Sequence, residues 1–141
     1  MSEVEKPINS LKRVLHLNHL DADKFPCWLS DGLHSIPPDS AFDLIISSPP
    51  NFIIEDFMKE LSPGRLGGFD PQWEFHRQFY AQCDKYLSAR GETWFNENSD
   101  GAQPETFLPF IQSNPALEYV GRFDEPLIPG FFWMKTKKVS K

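Results

Sequence analysis

Glycine is scarce in this chain: there are eight in 141 residues, and none precedes Gly32. A G-x-G-x-G loop, whose backbone closes around a nucleotide-like ligand, is therefore excluded from the N-terminal part of the sequence. Cysteine is scarcer still. Cys27 and Cys83 lie far apart and outside any C-x-x-C or Cys/His ligand spacing, which excludes a disulfide framework and a thiolate zinc site. His16 and His19 stand three apart but lack a third ligand at a suitable spacing, so no metal is expected. No apolar run approaches the ~20 residues of a membrane span. The opening MSEVEKPINS lacks the charged-then-apolar pattern of an export signal, so a cytoplasmic protein with reduced thiols is expected. Basic residues are in the minority, with 14 Lys and Arg against 20 Asp and Glu and a net charge of −6. That balance supplies no general attraction to a nucleic-acid backbone or an anionic membrane. The basic cluster 135-KTKKVSK-141 reads as a solvated end.

What is present suits one globular domain over residues 1–141, with 40% hydrophobic and 14% aromatic residues. Thirteen prolines are spread along the chain and punctuate its elements. The segment 7-PINSLKRVLHLNHL-20 opens with Pro at a first helical position and carries an apolar helical face, which favours a helix over a short strand at 13–17. The stretch 25-FPCWLSD-31 alternates and reads as a short strand ending in Asp-Gly. The run 42-FDLIIS-47 is compact and apolar between turn residues, which fits a strand covered on both faces. A short helix over 54–61 and a glycine-rich loop come next. In 72-QWEFHRQFYAQCDKYL-87, Trp73, His76, Phe79, Tyr80, Cys83, Tyr86 and Leu87 recur at threes and fours and predict the strongest helix. Gly91 is expected to stop it, and 92–98 alternates as a strand. Pro104 opens a helix over 104–113, disturbed by Pro109, and 117–123 and 131–138 read as two final strands.

This alternation predicts an α/β fold with parallel crossovers. The last two strands should be antiparallel, because their short connection cannot return a strand to parallel. Phe42–Ser47 is expected at the centre of the sheet, with 92–97 beside it and 131–135 antiparallel beyond.

The strand over 42–47 stops at Ser47, Ser48, Pro49 and Pro50, followed by Asn51 and Phe52. Ligands of open α/β sheets bind at such carboxyl ends. Two prolines remove two N–H donors and fix φ, so the local carbonyls become rigid acceptors. The Ser48 hydroxyl can accept as well as donate. Such a corner holds a nitrogen through its hydrogens and aims its lone pair outward, a device for positioning a weak nucleophile.

The motif 42-FDLIISSPPNF-52 resembles the fourth-strand motif of the class I S-adenosylmethionine-dependent methyltransferases, in the amino-methylating branch, whose members carry D/N/S-P-P and then an aromatic. The block 18–50 is similar to the family's helix, third strand, acidic turn and fourth strand. The block 86-YLSARGETWFNEN-98 resembles its fifth strand and the helix end before it, and the antiparallel finish its sixth and seventh strands. The resemblance implies a partial Rossmann-like fold, mostly parallel with an antiparallel C-terminal strand, that starts near the helix before the third family strand and lacks the first strands. It implies S-adenosylmethionine as cofactor, with Asp31 accepting from the adenine amine and Gly32 and Leu33 flanking the ring. It places the acceptor nitrogen, of an amine or amide, at Ser48, Pro49 and Pro50, with Asn51 and Phe52 against the substrate.

Two departures follow from the same residues. Asn51 stands where the family has an aromatic, and Phe52 comes one position late. The glycine-rich loop that grips methionine and ribose is missing. A homodimer, or a second chain completing the fold, is therefore expected, since unpaired sheet edges invite association. The other reading is a non-catalytic interaction subunit that keeps the fold without binding the cofactor. Asp31-Gly32 is also a common turn pair, and Ser-Pro-Pro also serves as a plain chain reversal.

Overall fold

A computed structural model describes residues 5–53 and 68–139. The helix and glycine-rich loop expected within 54–67 lie outside the described residues. The chain divides into two compact units, Met1–Pro37 and Pro38–Lys141.

In the first unit, α1 spans Lys6–Leu17 and carries Pro7 in its first turn, where a missing N–H costs nothing. It ends earlier than its apolar pattern. Asn18 N and Nδ2 both donate to the Val14 carbonyl, at 3.1 and 2.8 Å. His19 then turns left-handed at φ 54°, and Leu20 closes back on the Leu15 carbonyl at 2.9 Å. The expected strand at 25–31 does not form. Its alternation suits a half-buried strand, but no strand among the described residues of this unit offers it a ladder, and Pro26 has no N–H to give. Asp31 instead begins a turn. Its carbonyl accepts from His34 N at 3.2 Å and His34 Nδ1 at 2.6 Å, and Gly32 takes φ 57°.

Among the described residues, the second unit is a four-stranded mixed sheet with two α-helices. Its strands are β1 (Phe42–Ser47), β2 (Leu87–Asn98), β3 (Leu117–Asp124) and β4 (Phe131–Lys138), in the order β1-β2-β4-β3. The pair β1–β2 is parallel, and β4 runs antiparallel to both β2 and β3. The antiparallel finish and the neighbours of 92–97 are as expected. The position of β1 is not: it pairs with β2 alone and ends the sheet among the described residues. Nor is it covered on both faces, since Leu44 and Ile46 are 47% and 62% exposed.

Helix α2 (Glu74–Gln82) and helix α3 (Pro104–Gln112) cover the opposite face. The threes-and-fours stripe of α2 buries His76, Phe79 and Tyr80, and Cys83 follows in a tight turn. Leu87 leaves this pattern to begin β2, and Gly91 lies inside that strand where it was expected to end a helix. Pro109 sits within α3 without breaking it, and the Ser113 hydroxyl donates to its carbonyl at 2.7 Å. Alternate β2 residues Thr93, Phe95 and Glu97 point into the core against Phe132, Met134 and Thr136 of β4. Phe95 meets Phe79 at 4.4 Å between ring centroids.

Gly91 explains the long parallel contact of β2 with β1. A Cβ there would stand 2.6 Å from the Phe42 carbonyl oxygen and 2.9 Å from the Leu87 Cβ. Gly91→Ala is expected to cost about 1–3 kcal/mol through overpacking, read by urea unfolding, with amide exchange rising first in the opening half of β1. An unchanged midpoint would contradict the close approach.

Candidate functional site

The corner after β1 is tied down from two directions. Ser48 is exposed, Pro49 is buried, and Pro50, Asn51 and Phe52 are half-buried. The first two N–H groups after the prolines, those of Asn51 and Phe52, both donate to the Gly68 carbonyl at 3.1 and 3.3 Å. The Phe52 carbonyl accepts from Asp70 N at 2.6 Å, and the Phe52 ring lies 6.2 Å from that of Phe69. From the other direction the loop after β2 presses Gly101 against Asn51, so closely that a Cβ would collide with the Asn51 carbonyl oxygen. Only glycine allows this approach.

Beneath the corner lies a chain of buried polar side chains. Asp70 accepts from the Phe75 and His76 amides at 2.8 and 3.1 Å, capping the start of α2 where exposed N–H groups favour an anion. Its Oδ2 also meets His76 Nδ1 at 2.6 Å, while His76 Nε2 meets Glu97 Oε1 at 2.8 Å. Asp70, His76 and Glu97 are 2%, 0% and 1% exposed. The imidazole is stacked 4.2 Å from Phe107 and meets Trp73 edge-on at 5.4 Å. The last link is Asn51. Its amide nitrogen lies 2.9 Å from Glu97 Oε2 and 3.2 Å from the Asn96 carbonyl oxygen, an orientation assigned because its reverse would set oxygen against oxygen.

The protonation states follow from these contacts. Burial works to raise the Asp70 pKa, but the His76 hydrogen bond and the two amides outweigh it and hold it below its ordinary value. Burial works to lower the His76 pKa, but hydrogen bonds to Asp70 and Glu97 and their charges raise it above 6.5. Burial raises the Glu97 pKa, which the His76 contact offsets only in part. Both imidazole nitrogens face carboxylate oxygens, so the protonated ring places a buried cation between Asp70 and Glu97. Just ahead of it, Gln72 and Trp73 both adopt left-handed backbone, at φ 56° and 57°. Two such non-glycine residues in succession store strain of the kind that clusters at active sites and ligand clamps. Arg77 braces the turn by donating to the Gln72 carbonyl and to Glu74, both at 2.8 Å.

Ser48, Pro49, Pro50, Asn51 and Phe52 thus form one structured corner of the second unit. Asp31, Gly32 and Leu33 fall in the first unit, on a turn with Asp31 exposed and Leu33 buried, and not at a strand end. Sequence reasoning missed Asp70, His76, Glu97 and Gly101. A signal for two of them existed: His76 interrupts the apolar stripe of its helix, and Glu97 falls in the inward phase of 92–98.

No family model and no curated protein matches this chain. Among solved structures it is similar to a TehB-like SAM-dependent methyltransferase from Corynebacterium glutamicum, at 18% identity over 79% of this chain and 54% of that one, with a TM-score of 0.46. It is also similar to SMU.776, a candidate methyltransferase complexed with SAH, at 16% identity over 87% of this chain and 34% of that one, with a TM-score of 0.52. The chain therefore spans about half of the first structure and a third of the second. The likeness to SMU.776 establishes the fold alone: a methyltransferase-like α/β arrangement, present in part. No helix among the described residues is long and apolar enough to cross a membrane.

The buried network makes stability pH-dependent. His76, whose pKa is raised on folding, contributes stability in full below its unfolded value near 6.5 and loses it as pH rises through the folded value. Asp70, whose pKa is depressed, contributes above its unfolded value near 3.8 and loses it as pH falls through the folded one. Glu97, raised, acts in the sense of His76, its contribution fading as pH climbs from 4.5 through its folded value. Unfolding free energy should thus decline above neutrality, by at most ~1.4 kcal/mol per pH unit for one group. His76→Gln should flatten that decline. An identical alkaline slope in both chains would contradict this assignment.

Proposed function

We propose that this chain is a methyltransferase-like domain whose corner at Ser48, Pro49 and Pro50 holds an amine or amide nitrogen for methyl transfer. The observation that carries the reading is the corner itself. It stands at the carboxyl end of β1, free of N–H groups at two successive residues and clasped by Gly68, Asp70, Glu97 and Gly101. Ser48 and the proline carbonyls accept the hydrogens of the incoming nitrogen and leave its lone pair aimed outward. S-adenosylmethionine would supply an electrophilic methyl on its sulfonium. The fit of that cofactor to this chain is incomplete. Asp31, Gly32 and Leu33 are the residues proposed for its adenine end, and nothing in the sequence matches the glycine-rich grip on methionine and ribose.

We therefore propose that a second copy or a second polypeptide completes the donor pocket. The outer edge of β1, unpaired among the described residues, and the exposed Leu44 and Ile46 support this. A cytoplasmic setting accords with Cys27 and Cys83, both free thiols. The second reading, a non-catalytic interaction subunit, draws on the missing glycine loop and on the exposed turn at Asp31.

Sedimentation should show a dimer, or a complex when the completing chain is present. A monomer that binds S-adenosylmethionine at micromolar affinity, about 8 kcal/mol, would defeat the two-chain proposal. In the competent assembly, Ser48→Ala should lower turnover with cofactor affinity nearly constant. Asp31→Ala should weaken cofactor binding by about 1–3 kcal/mol, roughly ten- to a hundredfold, read by calorimetry. Equal, small effects of both would favour the interaction subunit.

A further inference from the structure

Glu97 does more at the corner than complete the clasp on His76. Its Oε1 takes the His76 Nε2–H at 2.8 Å, and its Oε2 lies 2.9 Å from the Asn51 amide nitrogen. The Asn96 carbonyl oxygen lies 3.2 Å from the same nitrogen. Both partners are acceptors, so the Asn51 N–H groups are turned inward onto the protein. An amide whose donors are so engaged offers its carbonyl oxygen on the other side.

We propose that Glu97, held by Asp70 and His76, fixes the Asn51 side chain as a hydrogen-bond acceptor of the corner, so that the corner selects ligands carrying a hydrogen on nitrogen. Asn51 is then the specificity-determining residue and Glu97 the positioning residue. This rests on the reading of the corner as a nitrogen-holding site and adds what does the selecting. The ligand class is a primary or secondary amine or carboxamide, recognised by its N–H and not by a flat face. The neighbouring Phe52 ring agrees, because it is engaged with Phe69. So does the burial pattern: Glu97 is 1% exposed while Asn51 is half-buried, which puts the amide at the boundary between the network and the outside.

An isosteric change separates this role from a scaffolding one. In Glu97→Gln the side-chain oxygen stays with the His76 donor, and the new NH2 faces Asn51. Asn51 must then turn its oxygen inward and its N–H groups outward. Shape is kept while the polarity of the corner reverses, at the cost of the Asn51 contact to the Asn96 carbonyl, which loses its donor. Adding Asn51→Asp restores the original polarity, since one carboxylate oxygen takes the Gln N–H and the other faces out. Asn51→Asp alone sets two carboxylates together.

The test is an NMR titration of the full chain with acetamide, which has N–H groups, and with N,N-dimethylacetamide, which has none. In the wild-type chain acetamide should shift the Ser48 and Asn51 signals and dimethylacetamide should not. Glu97→Gln should weaken acetamide binding by roughly tenfold or more, and the double variant should recover it. No acetamide shift in the wild type, equal shifts from both probes, or a Glu97→Gln chain that behaves as wild type would overturn the proposal. Should Glu97→Gln not fold, the wild-type Asn51 side-chain hydrogens decide. Slowed solvent exchange is expected, and exchange at the rate of a free amide overturns it. Methyl transfer enters none of these readouts, so an inactive chain would count against the proposed function and leave this inference standing.

Discussion

His76 cannot leave its place without stranding two carboxylates out of water. Asp70 and Glu97 each point an oxygen at one of its ring nitrogens, and all three side chains are at most 2% exposed. Breaking such a buried pair by removing one partner typically costs about 3–5 kcal/mol, because the remaining charge has nowhere to go. Replacing the whole network with apolar side chains of similar volume is often neutral. Its presence is therefore poor evidence for added stability, and better evidence that something must be held in one arrangement. What it holds is visible. Asp70 joins the start of α2 to the Phe52 carbonyl, and Glu97 joins the end of β2 to Asn51. The corner after β1 is the object both ends grip.

The same network sets the electrical character of that corner. Asp70, whose pKa is held below its ordinary value, brings a buried negative charge to the network under a surface whose prolines have already removed two donors. In the low-dielectric interior this charge acts with little screening. A donor-bearing or cationic group is favoured there and an anion is not. The strained turn at Gln72 and Trp73 lies at the head of the network, with Trp73 packed on His76 and Phe107. Strain and buried charge at one place are both costs that a purely structural turn has no reason to carry.

The fold was largely legible because its evidence is local. Helix α2 could be read from the spacing of Phe79, Tyr80 and Cys83, and the antiparallel finish from the shortness of the last loop. The corner was legible too, since two prolines after an apolar run have few meanings. The failures were those of tertiary context. The stretch 25–31 has a strand's alternation, but alternation makes a strand only where a neighbour supplies a ladder. The central position given to Phe42–Ser47 assumed a partner on each side, and the apolar run alone could not show that Leu44 and Ile46 are exposed. The network went unread because its members are six and 21 residues apart in sequence. Their alliance exists only once β2 and α2 are packed.

The second face of the sheet is unevenly covered among the described residues. Along β2 and β4 its large rings have polar company. Trp94 donates to Glu92 at 2.8 Å and lies 5.1 Å beneath Lys135, which itself meets Glu92 at 2.7 Å. Trp133 donates to Glu125 at 2.9 Å, and Trp94 packs 5.5 Å from Phe123. Among the described residues no such dressing is found on β1, where Leu44 and Ile46 stand exposed on a strand paired along one edge alone. That strand is the one whose carboxyl end becomes the corner. Whatever covers or pairs with β1 must come up against residues directly continuous with Ser48, Pro49 and Pro50. Any chain that paired with β1 would therefore act on the corner through six residues of backbone.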